Sequence, residues 1–173
     1  IGMWIDQYIA PPLVKIGNEP HMAAIRAALI RTIPLIIVGS LPLILINLPV
    51  ESWAEFMAPY APKLNVLYSM SFGFISLWLA ISLGSELAKM YEELDPVMSS
   101  VVVVCCYLIT VEPINLETGA LGTTGLSAKG MFTLFLIGII VIEFMHFCYK
   151  HNIVIRMPKS VPPNIAQSFA SLL

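Results

Sequence analysis

GMFTLFLIGIIVIEFMHFCYK (130–150), followed by HNIVIRMPKSVPP (151–163) and NIAQSFASLL (164–173), decides what kind of molecule this chain makes. The first part holds about 20 nearly unbroken apolar residues, about 30 Å of helix, enough to cross the hydrocarbon of a bilayer. A helix in a soluble core would carry a polar face, and this one barely does. Beyond Tyr149 the character changes at once to Lys150, His151, Arg156 and Lys159. Positive charge of this kind accumulates in cytosolic loops, so this end is expected to face the cytosol. Ile153, Ile155 and Met157 alternate with Val154 and Arg156, which predicts a short extended piece, and Pro158, Pro162 and Pro163 stop a helix from running through. Asn164 opens a further apolar run, read as the start of another span.

Composition agrees. The 173 residues are 58% hydrophobic and 12% charged, against roughly 25% charged residues in soluble proteins. The fold class expected is an all-α integral membrane protein, a bundle of four full spans plus the start of a fifth, with amphipathic or interfacial helices on the cytosolic side. A net charge of −2 argues against a nucleic-acid partner, which requires a basic stripe. Ile1 to Val14 lacks a basic n-region and carries Asp6, so no cleaved signal peptide is read there. The absence of an initiator Met and the apolar run at 164–173 make the chain read as a piece of a longer one. Cys105, Cys106 and Cys148 have no metal-ligand spacing and are expected to be buried free thiols.

Trp4, Tyr8, Asp6 and Gln7 predict a short interfacial helix ended by Pro11 and Pro12. Residues 13–21 (LVKIGNEPH) connect to the next helix, with Asn18 as cap and Pro20 in the first turn. Arg26 and Arg31 keep its beginning at the inner membrane surface, and a first span at 33–48 carries Pro34 and Pro42 inside it, predicting a kink. Residues 49–62 (PVESWAEFMAPYAP) read as an outer loop with Trp53, Phe56 and Tyr60 as anchors. The second span, 64–87, has small residues at Ser69, Gly73, Ser76 and Ala80 along one face. Such a stripe implies close approach by another helix or a domain interface. Asp95 and Pro96 start a third, short span at 97–111. Residues 112–129 form a Gly/Thr loop, re-entrant or simply external, without the ending of a phosphate loop. The fourth span is 130–149. With the amino end inside, Lys15, Arg26, Arg31, Lys89, Lys150, Arg156 and Lys159 are cytosolic, and of the nine basic residues only Lys63 and Lys129 lie outside.

Glu143 is the one acid well inside a span, and His146 lies three residues later on the same face. A charged, unpaired carboxylate in hydrocarbon costs about 2.5 kcal/mol or more, so the two are read as an intramembrane polar pair near the cytosolic boundary. A di-metal bundle site would need a second Glu-x-x-His, which the sequence lacks. No catalytic residue, metal site or cofactor is read from the chain.

LVKIGNEPHMAAIRAALIRTIPLIIVGS (13–40) and GLSAKGMFTLFLIGIIVIEFMHFCYKHNIVIRMPKSVPPNIAQSFASLL (125–173) resemble the EIIC component of the lactose/cellobiose/diacetylchitobiose family of the bacterial phosphotransferase system. The resemblance rests on the combination of GNEPH, AIR, IPLIIVGS and MP..VPP...A.SFA.L. It implies a multi-pass permease of the bacterial plasma membrane, amino end cytosolic, that moves a disaccharide inward while a cytosolic EIIB subunit phosphorylates it. It also implies that residues 33–149 belong to a scaffold and dimerisation half, preceded by an interfacial segment (1–32) and followed by a cytosolic basic loop (150–163) and the opening of a fifth span (164–173). The sugar-binding His and Glu belong to the other half, and no such role passes to His146 or Glu143. Readings from other classes are a helical membrane scaffold without transport, and a proton-coupled transporter using Glu143 and His146.

Overall fold

The computed structural model describes residue 14, residues 17–111, residue 122, residues 125–151 and residue 153. The readings placed on 1–12, on most of 112–124 and on 154–173 lie outside the described residues. Among the described residues every regular element is helical: α1 (Pro20–Ile46), α2 (Glu51–Met57), α3 (Ala61–Phe72), α4 (Ile75–Ala88), α5 (Pro96–Val111), a 3-10 turn (Ala128–Gly130) and α6 (Met131–Lys150).

The first helix starts at Pro20, as read, and runs on through both prolines as one 27-residue helix. Its cap is Glu19 rather than Asn18, with the carboxylate accepting the Met22 amide at 3.2 Å and Pro20 opening the first turn. Arg26 and Arg31 lie within this one helix, and both are answered in place. Arg26 donates to the Gly17 carbonyl at 2.9 Å, Arg31 pairs with Glu86, and Ala24 and Ala28 of the same stretch are buried. The helix end is closed by side chains: Asn47 Nδ2 donates to the Leu43 carbonyl at 2.8 Å, and Trp53 of α2 reaches back to that of Leu45 at 2.7 Å. The residues expected as an outer loop thus form a short helix and the turn after it, along which the Trp53, Phe56 and Tyr60 rings stand 5.9 Å apart in succession.

Among the described residues, three stretches are long and apolar enough to cross a membrane: Pro20–Ile46, Ala61–Ala88 and Ala128–Lys150. Pro96–Val111, at 16 residues and so about 24 Å, is shorter than the about 30 Å of hydrocarbon. Its start is as read, with Asp95 Oδ1 accepting the Met98 amide at 2.8 Å.

Helix α4 is the centre of the bundle, packed against α1, α5 and α6. Leu79, Leu83 and Leu87 are 0–1% exposed, and Ala80, Gly84 and Ala88 are buried beside them. The close approaches are made by glycines. A Cβ on Gly84 would lie 2.7 Å from the Ser100 Cα, one on Gly138 2.7 Å from Leu83 Cδ2, and one on Gly39 2.5 Å from the Ser71 Cβ. The α4–α5, α4–α6 and α1–α3 interfaces each therefore depend on a missing side chain. Outside this core α1 presents Ile30, Ile33, Ile37, Val38, Leu41 and Ile44 outward, as lipid or a further apolar surface requires.

Candidate functional site: two polar centres in an apolar bundle

The first centre lies where α1 begins, α4 ends and α5 starts. His21, in the first turn of α1, donates from Nδ1 to Glu19 Oε1 at 2.6 Å and from Nε2 to Glu143 Oε1 at 2.8 Å. Donation from both ring nitrogens is the imidazolium form, so one cation stands between two carboxylates. The same Glu143 oxygen accepts the hydroxyl of Tyr91, from the connector between α4 and α5. That bond and burial push the Tyr91 phenol up to about 12. At the outer edge, the bond from His21 holds the Glu19 carboxyl below its ordinary value.

The pairing expected within α6 is therefore replaced. Glu143 is satisfied by donors from α1 and the α4–α5 connector, while the His146 ring stacks on that of Tyr91 with centroids 3.9 Å apart and planes 15° from parallel. Stacking directs Nδ1 of His146 toward Glu93, 3.9 Å away, and leaves that buried nitrogen without a hydrogen-bond partner. A neighbouring group of three holds Glu86 between Arg31 and Lys89, the latter at 2.8 Å. His21 and Tyr91 were not singled out from the sequence. The available signal was that His21 and Glu143 fall at the same end of their helices once the spans are laid antiparallel.

The second centre interrupts the second span. Phe74, with φ −113° and ψ 19°, leaves helical geometry between α3 and α4. Past it, the Ser76 amide donates to the Leu126 carbonyl at 2.9 Å and its Oγ to that of Ser127 at 2.5 Å. Tyr107 of α5 donates its hydroxyl to the carbonyl of Gly125 at 2.5 Å. Three consecutive carbonyls of the segment preceding α6 are thus taken by two residues of the bundle, with Leu126 only 1% exposed between them. The indole of Trp78 spans the break to the Met70 carbonyl at 3.1 Å.

The small-residue stripe is divided by this break. Ser76 and Ala80 are fully buried against the chain's own elements, Gly73 sits in the turn, and only Ser69 is exposed. Ser76 is fully buried here, and its hydroxyl donates to the Ser127 carbonyl. The cysteines divide similarly: Cys148 is buried as expected, Cys106 partly so, and Cys105 lies exposed on the outer face of α5. A groove of about 410 Å³ between α4 and α5 is lined by Ile81, Val97, Val101 and Val104 and touches neither polar centre. Its walls offer too few hydrogen-bonding groups for a sugar.

Residues 26–173 match the family model described as Phosphotransferase system, EIIC. The chain belongs to this EIIC family. The cellobiose-specific EIIC component of Geobacillus stearothermophilus is 27% identical over 98% of this chain and 41% of its own length. A lactose-specific EIICB component of Lacticaseibacillus casei is 28% identical over 95% of this chain and 30% of its own length. Among solved structures, the transporter ChbC, the IIC component from the N,N'-diacetylchitobiose-specific phosphotransferase system, superposes with a TM-score of 0.84 at 27% identity, covering 98% of this chain and 43% of ChbC. This EIIC chain therefore spans less than half the length of each. Both polar centres lie largely within the matched stretch, apart from Glu19 and His21, which precede residue 26.

Proposed function

We propose that this EIIC chain is the scaffold half of a sugar permease in a bacterial plasma membrane, translocating a disaccharide inward as a cytosolic EIIB subunit phosphorylates it. The observation that carries the reading is the likeness to ChbC over 98% of the chain, together with the EIIC match. A cellobiose-type or diacetylchitobiose-type sugar is favoured by the names of the relatives, and EIIB as partner by the name EIICB of the lactose-specific one. In this reading the polar centre around Glu143 is structural. It joins three elements at the cytosolic end and gives the bundle a rigid base, and two copies associate through the scaffold. Ser69, the exposed residue of the stripe, contributes to the surface facing the sugar-binding half.

The test is phosphorylation of radiolabelled cellobiose, diacetylchitobiose and lactose by the full-length permease in inverted vesicles, supplied with phosphorylated EIIB. One of the three, loaded into the vesicle lumen, is expected to emerge outside as its phosphate. Uptake driven by a proton gradient without any phosphoryl donor would overturn the reading in favour of a proton-coupled transporter. No transport under either condition would favour a scaffold.

A further inference from the structure

Pro20, Ala23, Ala27 and Arg31 recur at helical spacing and so share one face of α1. The first three line a cleft of about 360 Å³ together with Glu86, Lys89 and Met90, from the end of α4 and the connector after it. Arg31, the next residue on that face, reaches the cleft through Glu86. Its Nη1 and the Nζ of Lys89 converge on the same oxygen, Oε1 of Glu86. One carboxylate thus answers two cations, and one positive charge is left over. The cations are 49% and 45% exposed and the carboxylate between them 12%, so the excess charge faces outward. Donors are left over too, since a guanidinium carries five N–H groups and an ammonium three. The other acids of this end are turned elsewhere: Glu19 and Glu143 hold His21, Asp95 caps α5, and Glu93 stands beside His146.

The surroundings of this charge are apolar. Leu29, Ile30 and Ile33 beside Arg31 are exposed, on a helix long and apolar enough to cross a membrane. A cation on such a surface reaches for the headgroup layer, and basic pockets between membrane helices suit anionic headgroups. A soluble anion would gain nothing from walls of alanine, proline and methionine, whereas the glycerol and upper acyl chain of a phospholipid would.

We propose that the cleft between the start of α1 and the end of α4 binds an anionic phospholipid, its phosphate held by Arg31 and Lys89 and its chains continuing along the exposed isoleucines of α1. The lipid would fill the seam between two helices whose ends are otherwise joined there by the Arg31–Glu86 pair. The site needs a membrane but no sugar, so it stands apart from the transport reading.

Native mass spectrometry of the full-length permease, released from micelles containing equal phosphatidylglycerol and phosphatidylcholine, counts the lipid retained. Phosphatidylglycerol is expected to be preferred by at least about fivefold, and Arg31→Gln and Lys89→Gln each to lower its retention about fivefold, the worth of one cation beside an anionic headgroup. Ala23→Leu, which keeps both cations and fills the exposed cleft, is expected to lower it as well, and needs no change at the ion pairs. Arg26→Gln removes the same charge from the same helix, but at a side chain held by the Gly17 carbonyl, and is expected to leave retention unchanged. Equal retention of the two lipids by the parent, as when the other half of the permease covers the cleft, overturns the proposal. So does an equal loss in Arg26→Gln, which would mean unspecific attraction to a basic surface, or parent retention in Ala23→Leu. Displacement of phosphatidylglycerol by inorganic phosphate would assign the cations to a soluble anion and overturn the lipid as occupant.

Discussion

Nε2 of His21 stands 2.8 Å from Oε1 of Glu143, tying the first turn of α1 to α6 across 122 residues of chain. With Tyr91 on the same oxygen, the contact makes a carboxylate in an apolar helix a joint between three elements. Hydrogen bonds to ionised groups contribute more than neutral ones, and an unmatched carboxylate here would be costly.

A double-mutant cycle measures that joint. The side chains are 27% and 42% exposed, so solvent screens the pair and the coupling between His21→Ala and Glu143→Gln is expected near the low end, about 1 kcal/mol, in detergent unfolding. Glu143→Gln alone is expected to keep sugar phosphorylation by the complete system within about tenfold, or about 1.4 kcal/mol of barrier. Complete loss with normal folding would assign Glu143 a part in transport itself.

The phenol of Tyr91 provides a pH test. Its pKa is raised from 10 to about 12, chiefly because it donates to Glu143. A raised folded-state value means that the stabilisation is fully present below the unfolded value near 10 and is lost as pH rises through about 12. Difference absorbance against Tyr91→Phe should show a tyrosinate forming near the upper value, and Glu143→Gln should bring it back toward 10. An unshifted midpoint in the parent would contradict the contact.

Gly84 tests the packing of backbone against backbone. A Cβ added at this position would stand only 2.7 Å from the Ser100 Cα, so Gly84→Val must push α4 and α5 apart, at an expected cost of about 1–3 kcal/mol. Thermal unfolding in detergent checks this.

Orientation is tested by single-cysteine labelling with a membrane-impermeant reagent. Cysteine at Lys89 or His151 is expected to react only from the cytosolic side, and at Lys63 only from outside, in keeping with the distribution of basic residues. Labelling of Lys89 from outside alone would invert the topology.

Much of this was legible in the sequence because hydropathy, helix-start chemistry and charge bias act locally. The apolar run 131–149, the Asp95–Pro96 start and the placement of Arg31, Glu86 and Lys89 at one end could each be read from a few neighbouring residues. The start of α1 was legible from Pro20, but the cap was read as Asn18 instead of Glu19, and the partners of Arg26 and Arg31, the Gly17 carbonyl and Glu86, appear only in the folded chain. The stripe on the second span was legible as small residues, but not its division between buried Ser76 and exposed Ser69.

The sequence by itself determined the class of molecule, its apolar helices and the end that carries the charge, since each follows from side chains meeting lipid or water. Only the tertiary structure decided which groups meet. His146 is closer in sequence to Glu143 than His21 is, yet the carboxylate bonds His21, because α4, packed against both α1 and α6, brings the start of α1 to the end of α6, and stacking on Tyr91 turns the His146 ring away. The break at Phe74 likewise has no sufficient cause in the residues around it: the amide and hydroxyl of Ser76 are claimed by carbonyls some 50 residues further on, and only the register between distant segments brings them within reach.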